Sequence, residues 1–221
     1  MRLRFLLLPF LALLLSACRA AAWRDYHFTE PVEYYFLYPE GAGSTGPAPL
    51  FVALLGEDRS PLDCIELFNR FADDRGYGLL CPELGGGEGL ADWQQAELDL
   101  SAILTQLYSS QTFQDRFFLA GFGDGGTFVL EYALKYPAAV SGVSAMSPRT
   151  YPAVFAPPGP LPVQFIVGAE DEEGLEAAQA AEQAWRGLGI LVRLVPIDGN
   201  GRSPSQTFAR LASQLVDEVS R

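Results

Sequence analysis

The chain has 221 residues, of which 49% are hydrophobic and 19% are charged, so it can bury a substantial core and is not intrinsically disordered. Its 15 basic and 27 acidic side chains give a formal net charge of −12, and Lys135 is its only lysine. Without a basic cluster that could neutralise phosphates, the composition argues against nucleic-acid binding. A single histidine and three cysteines argue against a zinc site, and the sequence predicts neither a metal nor a cofactor.

Residues 1–17 predict an export signal. Arg2 and Arg4 precede an apolar run that ends at Leu15, and this run is shorter than the roughly 20 residues that span a bilayer. The run continues into Leu15-Ser-Ala-Cys18, which resembles a bacterial lipobox, where the cysteine is acylated and becomes the new N-terminus. The resemblance implies a lipoprotein signal peptide over 1–17, lipidation at Cys18 and a mature charge of 13 − 27 = −14. The alternative is an ordinary secretory signal cut near residues 20–22, with Cys18 discarded.

A lipidated Cys18 implies an exported protein that is anchored to a bacterial membrane and faces the periplasm or the cell surface. More than one acyl chain is needed for stable attachment, because each buried CH₂ contributes only about 0.8 kcal/mol. Residues 18–32 are then an N-terminal tether, and residues 33–221 form the folded domain. In an exported protein, Cys64 and Cys81 could form a disulfide or stay as two buried thiols.

The domain shows short apolar runs that alternate with amphipathic ones, which predicts an α/β fold with a mostly parallel sheet covered by helices on both faces. The predicted strands are Glu33–Tyr38, Leu50–Leu55, Tyr77–Cys81, Arg116–Ala120, Gly142–Met146, Pro162–Val167 and Ile190–Pro196. The predicted helices are Pro61–Asp74, Asp92–Ser109, Gly125–Tyr136, Glu172–Leu188 and Ser205–Val219. The helix over 92–109 carries an apolar stripe that predicts packing against the core. That stripe consists of Trp93, Leu98, Ile103, Leu104 and Leu107.

The segment Gly121-Phe-Gly-Asp-Gly125 joins a predicted strand to a predicted helix. It resembles the Gly-x-Ser-x-Gly nucleophile elbow of the α/β-hydrolase superfamily, with Gly123 at the serine position. The residue at that position is normally held in a strained backbone conformation, often with positive φ, which glycine adopts at almost no cost. A competing frame makes Asp124 a carboxylate nucleophile, but it places the bulky Phe122 where a small residue is needed.

Four further segments match the same superfamily in order. Pro49–Gly56 resembles the strand that ends in His-Gly in esterases, with Leu55 in place of the histidine. Phe71–Pro82 resembles the helix and strand that follow. Val167–Asp171 resembles the turn that supplies the triad acid, and Gly199–Ser203 resembles the loop that carries the triad histidine. The resemblance covers about residues 33–219 and is closest to poly(3-hydroxybutyrate) depolymerases, feruloyl esterases and small carboxylesterases. It implies an α/β-hydrolase fold without a large cap domain.

The resemblance assigns the triad positions to Gly123, Asp171 and Arg202, and only the acid is kept. Glycine has no side chain that could attack a substrate, and an arginine guanidinium does not accept a proton near neutral pH. The positions equivalent to the oxyanion hole are Asp124 and the Gly56–Glu57 loop. We expect Arg202 to replace the histidine as the partner of Asp171. The single histidine, His27, precedes the first predicted strand and is either a displaced base or a surface or packing residue.

The leading hypothesis is therefore a non-catalytic lipoprotein, a pseudoenzyme at the cell envelope that binds an unknown small-molecule or protein ligand at the former cleft or acts as a scaffold. The alternative is an active carboxylesterase-type hydrolase with a relocated nucleophile such as Ser60, Ser147 or Ser203. It would need a Ser-Lys or a carboxylate-assisted mechanism, and Lys135 lies on the helix after the elbow. A third class is a structural envelope component. Carboxylates also follow several C-terminal strand ends, where they form either a cation-binding rim or solvated loop charges. They are Glu57, Asp58, Glu83, Asp124, Glu170, Asp171, Glu172, Glu173 and Asp198.

Overall fold

The computed structural model describes residues 24–30, 32–39, 46–56, 59–84, 90, 92–155 and 159–220. The strands are β1 Arg24–Phe28, β2 Tyr34–Tyr38, β3 Leu50–Leu54, β4 Gly78–Pro82, β5 Phe117–Phe122, β6 Val140–Met146, β7 Pro162–Gly168 and β8 Leu191–Ile197. The helices are α1 Pro61–Arg75, α2 Trp93–Ser110, α3 Asp124–Lys135, α4 Glu172–Gly187 and α5 Gln206–Val219. Among these residues, no helix has the length and apolar character that a membrane span requires.

The eight strands form one open sheet in the order β1-β2-β4-β3-β5-β6-β7-β8. The six strands β3 to β8 run parallel to one another. Strand β2 is antiparallel to both β1 and β4. The central strands β3, β4 and β5 are buried along their whole length, which explains their continuous apolar sequences.

Two apolar clusters lie on opposite faces of the sheet. Helices α2, α3 and α4 cover one face, with Leu100, Phe128 and Trp185 among its buried residues. Helices α1 and α5 cover the other face, where Phe68 and Phe208 pack edge to face with ring centroids 5.7 Å apart. The predicted architecture, a mostly parallel sheet with helices on both faces, is confirmed.

All twelve predicted elements occur, with ends within two residues of those predicted. One strand was missed: β1 lies in the segment assigned to the tether, and it pairs with β2 along its full length. His27, expected before the first strand, is therefore part of β1. The stripe on α2 was also wrong at one position, because Leu98 is 64% exposed while Ile103 and Leu107 are buried.

A disulfide joins Cys64 in α1 to Cys81 in β4, with their Cα atoms 5.9 Å apart. Both residues are buried, so the bond ties the first half of α1 to the sheet from within the core. The predicted signal peptide and Cys18 lie outside the described residues.

Candidate functional site

Gly123 forms a sharp turn between the end of β5 and the start of α3. Its backbone has φ 57° and ψ −122°, a conformation that L residues with a side chain rarely adopt. The turn is held by two backbone hydrogen bonds: the Gly123 N–H donates to the Met146 carbonyl, and the Thr127 N–H donates to the Gly123 carbonyl, both at 3.1 Å. The position expected to carry the nucleophile therefore has positive φ, as the sequence predicted, and no side chain.

The glycines on either side of Gly123 are required by close backbone packing. A Cβ atom at Gly121 would lie 2.2 Å from the Gly125 carbonyl oxygen, and one at Gly125 would lie 2.4 Å from the Leu54 carbonyl oxygen. Both obstacles are main-chain atoms inside the sheet and helix, so they cannot move without shifting those elements. The small residues thus flank position 123 at two residues on each side, which favours this frame over the one centred on Asp124.

Gly56 lies against the first turn of α3, where the expected oxyanion donors are. Its φ is +58°, and a Cβ atom there would lie 2.8 Å from the Gly125 nitrogen and 3.3 Å from the Asp124 nitrogen. The loop after β3 therefore approaches the N-terminus of α3 at main-chain distance. Glu57, the other predicted oxyanion position, and Asp58 lie outside the described residues.

Asp124 follows the turn and forms an ion pair with Arg149, whose Nε lies 2.7 Å from the carboxylate Oδ1. Burial raises the pKa of the Asp124 carboxyl, whereas the adjacent guanidinium favours its ionised form. The ion pair joins the start of α3 to the segment after β6. A carboxylate held in this way is not placed as a free nucleophile, which again argues against the Asp124 frame.

Asp171 follows β7 and caps α4. Its Oδ1 accepts a hydrogen bond from the Gly174 N–H at 3.1 Å, and its own N–H donates to the Gly168 carbonyl. The Arg202 side chain is exposed in the loop after β8, and its backbone N–H donates to Asn200 Oδ1 at 3.0 Å. The expected Arg202–Asp171 pair is wrong: no ion pair between these two described residues occurs. The Asp171 carboxylate instead accepts the hydrogen bond that caps α4.

The loops after β6, β7 and β8 are in direct contact beside the elbow. A Cβ atom at Gly168 would lie 2.4 Å from the Gly201 nitrogen, and the Ser147 Oγ donates to the Gly201 carbonyl at 3.0 Å. Ser147 has φ 42°, the one positive φ of a non-glycine in the described part of the chain. These contacts put the loops that carry Asp171 and Arg202 at the same sheet edge as Gly123, as the resemblance implied.

Tyr151 adds a half-buried ring to this edge. It packs edge to face on Phe165, with ring centroids 4.8 Å apart. Burial, and to a smaller extent the neighbouring Asp171 carboxylate, raises the pKa of the Tyr151 hydroxyl. The phenol therefore stays protonated at neutral pH and does not supply a base.

The proposed substitute nucleophiles are engaged or exposed. Ser60 is the N-cap of α1 in a capping box with Asp63, in which its Oγ accepts from the Asp63 N–H at 3.3 Å. The Ser147 hydroxyl donates a hydrogen bond to the Gly201 carbonyl, and Ser203 is exposed in the loop after β8. None of the three makes a hydrogen bond to a basic side chain in the described residues.

The candidate bases lie far from the elbow. Lys135 is at the last residue of α3, about 16 Å along the helix from Asp124, and its Nζ lies 2.7 Å from the Glu97 carboxylate. His27 is on β1, four strands from β5, which corresponds to about 19 Å at ordinary strand spacing. Its Nε2 lies 3.1 Å from Glu33 Oε1, and its ring stacks on Tyr35. Neither residue can act as the base at Gly123.

Four of the carboxylates at this edge are solvated loop and helix-start charges. Glu172 and Glu173 lie exposed in the first turn of α4, where the helix dipole favours negative charge, and Glu170 and Asp198 are exposed as well. No group of three potential metal ligands is present in the part of the chain that the structure describes.

The comparisons with known proteins support the fold. No protein-family model matches the sequence, and no curated relative matches it. Among solved structures, a putative dienelactone hydrolase from Klebsiella pneumoniae subsp. pneumoniae MGH 78578 superposes with a TM-score of 0.71 at 17% identity, covering 91% of this chain and 99% of that one. Esterase PE8 gives 0.65 at 23% identity, covering 83% and 97%. A thermostable esterase gives 0.66 at 13% identity, and the match covers 90% of this chain but only 62% of the esterase.

These similarities, together with the strand order and the Gly123 turn, establish that the chain has the α/β-hydrolase fold. Sequence reasoning did not find Arg149, and it named Ser147 as a candidate nucleophile without predicting its positive φ. The only available signal for Arg149 was a basic residue just after a strand that neighbours the elbow.

Proposed function

We propose that this protein is a non-catalytic α/β-hydrolase-fold lipoprotein. In this proposal, acyl chains on Cys18 hold it in a bacterial cell envelope, and the former cleft binds a ligand or partner or serves as a scaffold. The observation that carries the proposal is Gly123, which has the backbone conformation of the nucleophile turn but no atom that could attack a carbonyl. Acyl transfer by this fold needs a hydroxyl or thiol at that point, with a base in hydrogen-bond reach.

The other triad positions support the same proposal. Arg202 is exposed, and an arginine side chain does not act as a general base near neutral pH. The Asp171 carboxylate accepts from the Gly174 N–H at the start of its own helix, so it has a structural role that does not require a histidine. Such a cap typically contributes about 1 kcal/mol to the stability of the folded protein. This contribution accounts for an aspartate at position 171 without a catalytic role.

Export is supported by two independent features. The apolar N-terminal run ends in Leu15-Ser-Ala-Cys18, and the fold contains a disulfide between Cys64 and Cys81. Disulfides persist in oxidising compartments such as the periplasm and the cell surface and are rare in the reducing cytosol.

A relocated nucleophile is the second candidate, and Ser147 is the residue that the geometry favours for it. Backbone strain in a non-glycine residue concentrates at functional sites, and Ser147 has positive φ next to the elbow. Against it, the Ser147 hydroxyl donates to a carbonyl and has no basic partner among the described residues. An unactivated serine is a weak nucleophile at neutral pH.

The test is reaction of the purified protein with a fluorophosphonate probe, followed by a p-nitrophenyl ester assay. We expect no labelled serine and no hydrolysis above the buffer rate. Labelling of a single serine in the wild-type protein would contradict the proposal, and loss of that labelling in Ser147→Ala would assign the nucleophile. The Gly123→Ser/Arg202→His double variant reports whether the rest of the site still supports acyl transfer, and an active serine hydrolase of the same fold is the positive control.

A further inference from the structure

The sheet edge formed by β1 and β2 is rich in aromatic side chains. Six of the ten residues in these two strands are Phe or Tyr, compared with 12% aromatic residues in the whole chain. Phe28 stacks on Tyr34 with ring centroids 4.6 Å apart, and Tyr26, Phe28 and Tyr35 are each only half-buried. Tyr is enriched where proteins meet the membrane–water interface, because its ring is apolar and its hydroxyl is polar.

The two edges of the sheet differ in how their main chains are satisfied. On β8, the Leu194 N–H donates to Glu182 Oε1, the Val192 carbonyl accepts from Arg186 Nε, both at 2.9 Å, and Pro196 has no N–H. Helix α4 thus closes the β8 edge. On β1, no described residue outside β2 makes a backbone hydrogen bond to the strand. The β1 edge is the one that an external polar surface can satisfy.

The chain leaves this same edge toward Cys18. Six residue steps separate Cys18 from Arg24, the first residue of β1, and fully extended chain covers at most about 3.4 Å per step, or about 20 Å in all. An acyl anchor sits at the hydrocarbon boundary, and the headgroup layer above it is about 5–8 Å thick. The start of β1 then lies within about 15 Å of the bilayer surface.

We propose that the β1–β2 edge is a membrane-docking surface, held against the lipid headgroups by the short segment between Cys18 and β1. The inference rests on the lipid anchor of the proposed function. The mature charge of −14 opposes electrostatic attraction to anionic lipids, so the contact depends on the anchor and the aromatic edge. Docking should therefore change little with salt or with the anionic lipid fraction.

Docking by this edge sets the height of the former cleft. Strands lie about 4.8 Å apart, so β5 and Gly123 stand about 19 Å above β1, and β8 stands about 34 Å above it. The cleft is then held off the bilayer, and its ligand or partner reaches it from the aqueous side. A lipid still embedded in the anchoring membrane is not within reach.

The full-length lipoprotein can test this after reconstitution into phosphatidylethanolamine–phosphatidylglycerol vesicles. A lipidated Cys18 and the Cys64–Cys81 disulfide leave no free thiol, so one introduced cysteine is the only labelling site. Thr29→Cys, just after β1, is compared with Gln183→Cys, exposed on α4 beside β8. Nitroxide-headgroup lipids should quench a fluorophore at Thr29→Cys at least several-fold more than one at Gln183→Cys. A twelve-residue Gly-Ser insertion after Ala20 should bring this ratio close to one.

The outcomes separate the two proposals. Protein that carries acyl groups and sediments with the vesicles, but shows equal quenching at both labels or more at Gln183→Cys, overturns the docking inference and leaves the lipoprotein proposal standing. A quenching ratio that survives the insertion also overturns it, because the short anchor would not be setting the orientation. Self-quenching of Thr29→Cys labels that rises with protein density, without lipid quenching, would assign the edge to a second copy and overturn it as well. Absence of acyl groups and of sedimentation contradicts the anchor itself.

Discussion

Substitution of the elbow glycines by alanine separates backbone strain from packing at the turn around Gly123. Gly123→Ala places a side chain at φ 57°, ψ −122°, a conformation that costs a residue with a Cβ about 1–3 kcal/mol. Gly125→Ala instead brings a Cβ atom to 2.4 Å from the Leu54 carbonyl oxygen, so β3 and α3 must separate. We expect Gly125→Ala to lose about 3 kcal/mol or more, because overpacking against main chain cannot be relieved by a rotamer change.

The assay is equilibrium unfolding in urea, followed by circular dichroism. Gly187→Ala is the matched control, since a Cβ atom there meets nothing within 4 Å and Gly187 is the last residue of α4. Its stability should be unchanged or slightly higher, because alanine is the better helix former. A change in midpoint at constant m-value reports stability alone.

The reasoning would be refuted by either of two results. If Gly123→Ala were as stable as the wild type, the turn at 123 would not be strained, and the assignment of the nucleophile position would lose its physical basis. If Gly125→Ala were tolerated as well as Gly187→Ala, the close approach of β3 to α3 would be wrong. Gly123→Ser should behave as Gly123→Ala does, because the strain arises at the backbone.

Two further predictions concern the core. Cys64→Ala/Cys81→Ala should lose about 3 kcal/mol of unfolding free energy in urea, because the disulfide joins residues 17 positions apart. A reductant should lower the stability of the wild type but not that of the variant. Burial raises the pKa of Tyr77 to about 12, so the folded state keeps the Tyr77 proton between pH 10 and 12 while the unfolded state loses it. The free energy of unfolding should therefore fall across that pH range. Tyr77→Phe should make this fall less steep. An unchanged alkaline slope in Tyr77→Phe would contradict that assignment, and at neutral pH the variant should lose only about 0.5–1.5 kcal/mol with its hydrogen bond to Ser213.

The fold could be predicted from the sequence because its signals are local. Continuous apolar runs gave the buried strands, and the glycine spacing around position 123 gave the strand–turn–helix. The β1 strand was missed because Arg24–Phe28 mixes charged and aromatic residues and is extended only through its pairing with β2. Its structure depends on a tertiary partner, which local propensity does not contain. Leu98 was misassigned because helical spacing alone does not tell where a buried stripe ends.

The Arg202–Asp171 pair failed for a reason that the sequence did contain. An aspartate directly before a helix is a preferred N-cap, and Asp171 precedes Glu172 at the start of α4. The cap forms at a lower entropic cost than a pair with Arg202, because it needs no ordering of a long side chain in a glycine-rich loop. Side-chain direction at Arg202 has no comparable local determinant, so its exposure could be learned only from the structure.

In the proposed pseudoenzyme, the polar groups of the former site are paired with one another. Asp124 is paired with Arg149, Asp171 with the start of its own helix, and Ser147 with Gly201. A new ligand of these groups would compete with the partners that they already have, and each carboxylate can accept more than one hydrogen bond. A serine at 123 and a histidine at 202 would therefore enter a site whose polar groups already satisfy one another. Such a site is better suited to holding its loops in one arrangement than to stabilising a transition state, which requires donors left free until charge develops.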